Sequence, residues 1–164
     1  MVLIWREQGR LGEVEPLVDP LLAQSVHPSA SKLRGTFALA RGAIDEIPGL
    51  VGPDPVPQSR DFTWLADLCI TAELAAAADL PCRAELYETL LPFEGRVVTM
   101  DATFICLGAV DHYLALLAGS LESTDRAARH LERAVTVNDN VGAIPWSRRV
   151  RAAAERTPTP GFCS

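Results

Sequence analysis

Asp111 and His112 stand side by side in "GAVDHYLALL", the only place in the chain where a carboxylate and an imidazole are neighbours. A general base needs its acid to orient the ring inside a concave site. Neighbours on one helix point about 100° apart and do not face each other. Both are therefore expected as surface or groove-edge residues. His130 is likewise expected on the surface, and His27, before Pro28, in a loop. Ser, Cys and Asp occur without G-x-S-x-G or another nucleophile signature. Asp54, Asp61 and Asp101 read as loop or cap residues and make no calcium-loop pattern. Cysteines stand at 69, 82, 106 and 163, with no C-x-x-C pair and no His at ligand spacing. Cys69 and Cys106 lie in apolar runs and read as small buried hydrophobes. The thiols are expected reduced and the compartment cytoplasmic. No G-x-x-x-x-G-K-[ST] loop is present. The expectation is a non-enzymatic chain with no catalytic residue, cofactor or metal.

Charge narrows the partners. The formal net charge is −6, which repels phosphate backbones and disfavours nucleic acid. Arg148, Arg149, Arg151 and Arg156 cluster in "WSRRVRAAAER" and are expected on a solvated face of the last helix. No run approaches the ~18 apolar residues of a membrane span. The apolar run of "MVLIWREQGR" is too short for a signal peptide.

The elements that must position any site read as helices. Aromatic residues make up only 6% of the chain while Ala, Leu and Arg abound, a composition that favours helix over strand. "VLIWREQGR" predicts a short helix stopped at Gly9. "GEVEPLVDPLLAQS" puts Leu17, Val18, Leu21 and Leu22 on one face, with Pro20 expected to kink or shorten it. "SASKLRGTFALARG" offers Ser29 or Ser31 as N-cap and Gly42 as stop. Residues 48–60 are dense in Pro and Gly and predict a loop. "DFTWLADLCITAELAAAAD" follows with Asp61 as cap. "LPCRAELYETLL" comes next and ends at Pro92. A connector whose "RVVTM" can be extended leads to "TFICLGAVDHYLALLAGSLES", the most apolar helix. "TDRAARHLERAVTVNDN", capped by Thr124, and "AIPWSRRVRAAAER" complete the set. No segment alternates at period two for long, so no confident strand is expected.

The chain repeats itself. Sliding it so that Tyr87 falls on Leu131 also brings Glu88 onto Glu132, Leu90 onto Ala134 and Leu91 onto Val135. In the preceding helix Cys69 meets Tyr113, Ile70 meets Leu114, Leu74 meets Ala118 and Ala77 meets Leu121. Buried classes match and surface letters mostly differ, as stacking requires. Ala127, Leu131 and Ala134 have the small–bulky–small spacing of a tetratricopeptide second helix, which lets helices approach to ~8–10 Å. The period exceeds the usual ~34 residues, and the connector Pro92–Met100 accounts for the excess. Glu122 stands where such repeats often turn on Gly.

In order, "REQGRLGEV", "DFTWLADLC", "AELYETLLPFEGRVV", "HYLALLAGSLESTDRAARHLERAV" and "GAIPW" resemble the helical-repeat region of large actinobacterial regulators. Those proteins join an ATP-binding signalling module to tetratricopeptide-like helices, with a cyclase-like domain in front or a LuxR-type helix-turn-helix behind. The resemblance spans residues 4–150. It implies an all-α protein, an antiparallel helix-hairpin stack forming a tetratricopeptide-like right-handed solenoid. The ATPase and DNA-reading parts are lacking here, so the chain looks like a remnant or excised piece of a bigger regulator. Gly95–Arg96 ends the family's connector turn, which implies a left-handed Gly and an Arg reaching neighbouring carbonyls.

The expected layout is one helical-repeat domain over residues 1–156. Its first helices lie in 1–47, its loop in 48–60, its two clearest hairpins in 61–140 and its last helix in 144–156, with a tail at 157–164. A concave face, lined partly by the helices over 64–74 and 107–118, would hold a protein partner or a neighbouring regulator domain. Candidate contacts are Trp64, Asp67, Arg96, Asp111 and His112. Trp64 and Trp146 otherwise read as core staples, and Phe93 as packing the connector onto the stack. The alternative is an effector-sensing stack enclosing a small apolar molecule. Exposed array ends make a homodimer a further expectation.

Overall fold

The computed structural model describes residues 5–6, 8–56, 60–100 and 105–156. Among them eight α-helices run in the order α1 Leu11–Ala23, α2 Pro28–Ala40, α3 Ile47–Val51, α4 Trp64–Ala77, α5 Arg83–Leu90, α6 Val110–Ser120, α7 Thr124–Asn140 and α8 Ile144–Arg156. Two strands, β1 Val97–Met100 and β2 Ile105–Ala109, pair antiparallel between α5 and α6. The chain is mostly helical with one small sheet.

The sheet corrects the expected helix over "ICLGA"; residues 103–104 of that expected helix lie outside the described residues. Val98 pairs with Gly108 and Thr99 with Cys106, so Leu107 is an extra residue on β2. Gly108 adopts a left-handed φ of 77°, which ends any helical path there. A Cβ on it would come within 2.7 Å of the Trp146 ring. Three side chains strap β2 to the helices. Tyr113 Oη donates to the Leu107 carbonyl at 2.9 Å and Trp146 Nε1 to the Cys106 carbonyl at 3.0 Å. The Ala109 amide donates to Asn138 Oδ1 at 2.9 Å. Cys106 itself is exposed, contrary to its apolar surroundings in sequence, while Cys69 is buried.

The core sits on α4. Every residue from Ala66 to Ala75 is buried, because α4 packs against α2, α3, α5, α6 and β1 at once. Two consecutive hairpins, α4–α5 and α6–α7, lie together, α6 touching both α4 and α5. Their turns are alike. After α4, Asp79 takes φ 55° and the Leu80 amide returns to the Ala75 carbonyl at 3.0 Å. After α6, Glu122 takes φ 59° and the Ser123 amide returns to the Ala118 carbonyl at 2.9 Å. This is the helix-ending closure in which one left-handed residue satisfies orphan carbonyls. Residues paired by the repeat have like burial. Tyr87 and Leu131 are both buried, as are Leu90 and Ala134, and Glu88 and Glu132 are both exposed.

The first helices depart from expectation in detail. α1 runs through both Pro16 and Pro20. Both prolines are exposed, as is Gly12, so the carbonyls they leave free lie on the solvent side. Leu11 and Val14 are buried and Val18 and Leu22 pack beside them, whereas Leu17 and Leu21 are exposed. His27, not a serine, caps α2, its Nδ1 accepting the Ser29 amide at 3.2 Å. α3 extends to Val51, so the loop before α4 starts at Gly52. Of the predicted helix over "VLIWREQGR", residues 5–6 are helical and the stop at Gly9 is present with φ 68°, while 2–4 and 7 lie outside the described residues.

Candidate functional site

Three elements of the two hairpins bring one imidazole, two carboxylates and a phenol together. Tyr87 comes from the buried face of α5, Asp111 from the first turn of α6, and His130 from α7. Glu94 lies in the turn after α5, beside Gly95 with φ 77°. The Gly95 amide donates to Asp111 Oδ2 at 2.6 Å. Asp111 Oδ1 lies 3.2 Å from His130 Nδ1, and His130 Nε2 lies 3.0 Å from Tyr87 Oη. Glu94, Asp111 and His130 each offer a ligand atom, all within 4.8 Å of one another. Asp111 is fully buried and His130 nearly so. A carboxylate survives such burial only when paired, and the first turn of a helix adds a favourable dipole.

Tyr87, Glu94 and His130 of this cluster line an open groove of about 540 Å³, together with Glu88, Arg126, Arg129 and Arg133 among others. The three arginines recur at three- and four-residue intervals, which puts them along one face of α7. Arg133 Nη1 meets Glu94 at 2.6 Å, with both side chains about half exposed. The Arg126 guanidinium lies 5.9 Å from the Tyr87 ring centre. The bonding of His130 permits two proton arrangements. With the proton on Nδ1, the ring donates to Asp111 and accepts from Tyr87. With it on Nε2, the ring donates to Tyr87 and leaves the Nδ1 lone pair facing the carboxylates.

Of the five predicted contacts, only Asp111 belongs to this site, and it is buried rather than at a groove edge. It pairs with His130, nineteen residues on, instead of its neighbour. His112, also expected near the surface, is buried against Tyr113 and Trp146, with ring centroids 5.2 and 5.9 Å away. Burial pushes its pKa down to about 4, so the ring is neutral. Asp67 is buried and accepts from Ser29 Oγ at 2.7 Å, with Lys32 Nζ 4.0 Å away. Trp64 is buried against Phe93, ring centres 5.5 Å apart. Arg96 is exposed and stacks over Phe93 at 5.6 Å rather than on carbonyls. Every residue from Ala66 to Ala75 is buried, and of the helix over 64–74 Glu73 lines a second open cavity, with Arg6 and Arg149. The open groove belongs instead to α5 and α7. His130, read from sequence as a surface residue, is a floor residue of that groove. The arginine spacing on α7 was the available signal for the site. The convergence of 87, 94, 111 and 130 had none, because it depends on how the hairpins dock.

A second charged cluster is structural. Glu73 of α4 accepts from Arg6 and, at 2.6 Å, from Arg149 of α8. Burial alone would raise its pKa, but the two guanidiniums outweigh it and hold the carboxyl at about 2. Arg149 thus turns inward from the face predicted for it, while Arg151 pairs with Asp139 at 2.7 Å. No family model, curated protein or solved structure matches the chain.

Proposed function

We propose that the chain is a non-enzymatic helical-repeat module that holds an acidic segment of a protein partner, or of a neighbouring regulator domain, in the groove over α5 and α7. The observation that carries this reading is the arginine row. Arg126 and Arg129 line the groove and, among the described residues, have no carboxylate partner. The row from Arg126 to Arg133 covers about 10 Å of helix axis, a length suited to an extended peptide rather than a single small ion. Guanidinium forks take carboxylates in bidentate fashion. Glu94 on Arg133 is an internal guanidinium–carboxylate pair in the same groove.

The two hairpins support a tetratricopeptide-like, right-handed solenoid as the scaffold. They share turn geometry and burial, and Ala127, Leu131 and Ala134 are all buried at the spacing such stacks use. The resemblance to regulator repeat regions agrees with a part that presents a surface. The effector-sensing alternative needs an enclosed apolar site. The groove, and a second cavity of about 360 Å³ beside Arg6, Arg41 and Glu73, are open and charged, which favours a partner. Leu17 and Leu21, exposed at 72% and 69% on α1, support a second copy at that end.

Affinity capture tests the reading by comparing the chain with its Arg126→Glu/Arg129→Glu variant. Proteins retained by the first and lost by the second are expected. Equal recovery by both would remove the groove from the account.

A further inference from the structure

We propose that Glu94, Asp111 and His130 form a binding site for one divalent transition-metal ion of the zinc class. The proposal is independent of whether the groove takes a partner. Three ligands from three separate elements converge with their ligand atoms within 4.8 Å of one another, and two of them are buried. An imidazole with two carboxylates suits zinc or manganese, whereas magnesium and calcium prefer oxygen alone. The 3.2 Å between Asp111 Oδ1 and His130 Nδ1 is long for a charge-assisted hydrogen bond. It matches the ~3–3.5 Å separation of two atoms that each bond one metal at 2.0–2.2 Å.

The surroundings supply what metal ligands require. Tyr87 Oη can accept from His130 Nε2–H at 3.0 Å, which fixes the tautomer that leaves Nδ1 free to ligate. The Gly95 amide holds the other oxygen of Asp111 at 2.6 Å, which fixes the carboxylate's orientation. Three protein ligands leave a coordination position open towards the groove. The Arg133 guanidinium competes with an ion for one of the three ligands, Glu94. The two side chains meet at 2.6 Å. Both Arg133 and Glu94 are about half exposed, so the guanidinium can swing into solvent when a metal arrives.

That competition gives the test an unusual sign. The full chain is stripped with a chelator, desalted and titrated calorimetrically with zinc chloride, and separately loaded with cobalt(II). One ion per chain is expected. Glu94→Gln, a rim change that leaves the fold intact, should weaken binding by at least tenfold, and His130→Ala should abolish it. Arg133→Ala should tighten binding, because a competing cation is gone. The cobalt form should show ligand-field bands without thiolate charge transfer. A thiolate band would overturn the proposal by assigning the metal to cysteine. So would the absence of saturable binding, binding unchanged in Glu94→Gln, or weaker binding in Arg133→Ala.

Discussion

The hydroxyl of Tyr87 lies 3.0 Å from Nε2 of His130, and this contact joins the second helix of one hairpin to the second helix of the next. Through His130 it reaches Asp111 at the start of the intervening helix. Three elements are thus tied at one point beneath the groove. A buried polar chain of this kind fixes a single register between hairpins that apolar faces alone would let slide.

Tyr87→Phe removes the hydroxyl and leaves a buried ring nitrogen without its partner. Urea unfolding should show a loss of about 1–2 kcal/mol, with an unchanged m-value. A loss near zero would mean that the contact does not hold the hairpins together.

The hairpin turns carry strain that glycine relieves. Glu122 sits at φ 59° with an exposed side chain. Glu122→Gly should stabilise the chain by about 1 kcal/mol. Asp79→Gly should gain less, because Asp79 also pairs with Arg83. Thermal melts of the two variants check the order.

Gly108 is the reverse case. Its left-handed φ and the Trp146 ring 2.7 Å from a would-be Cβ both oppose a side chain. Gly108→Ala should cost roughly 2–4 kcal/mol. The loss should appear as earlier thermal unfolding and brighter exposure of Trp146 to quenchers.

Glu73 makes stability depend on acid. Its folded pKa is depressed to about 2 from 4.5. The unfolded chain therefore binds the proton first. The contribution is complete above pH 4.5 and is lost as pH falls towards 2, on the order of 3 kcal/mol in all. Glu73→Gln should destabilise strongly at pH 7 by leaving Arg6 and Arg149 beside an uncharged group. The gap between wild type and variant should close between pH 4.5 and 2. A gap constant over that range would show that Glu73 is not held ionised by its guanidiniums.

In the sequence α4, buried all round, was legible from its long run of apolar helix formers, whereas α7 was legible because packing one face leaves a 3.6-residue signature. The like burial of the two hairpins was legible for the same reason. The β2 strand was not. "ICLGA" is apolar throughout, so strand and helix look alike until Gly108 is seen in its left-handed conformation against Trp146. α1 passing through Pro16 and Pro20 was hidden as well, since only placement on the solvent side makes those prolines tolerable. The site was least legible. Asp111 and His112 were both expected at the surface or a groove edge, but both are buried, and helix geometry sends the two side chains to different places. The residues that meet Asp111, Gly95 and His130, come from other elements.

On the proposed function, the groove over α5 and α7 receives acidic peptide. Fluorescence anisotropy with a labelled Glu/Asp-rich dodecapeptide tests it most directly, with a Lys-rich peptide of equal length as control. Saturable binding of the acidic probe is expected, weakening with added salt and disappearing in Arg126→Glu/Arg129→Glu. Equal binding of both peptides, or undiminished binding by the double variant, would contradict it.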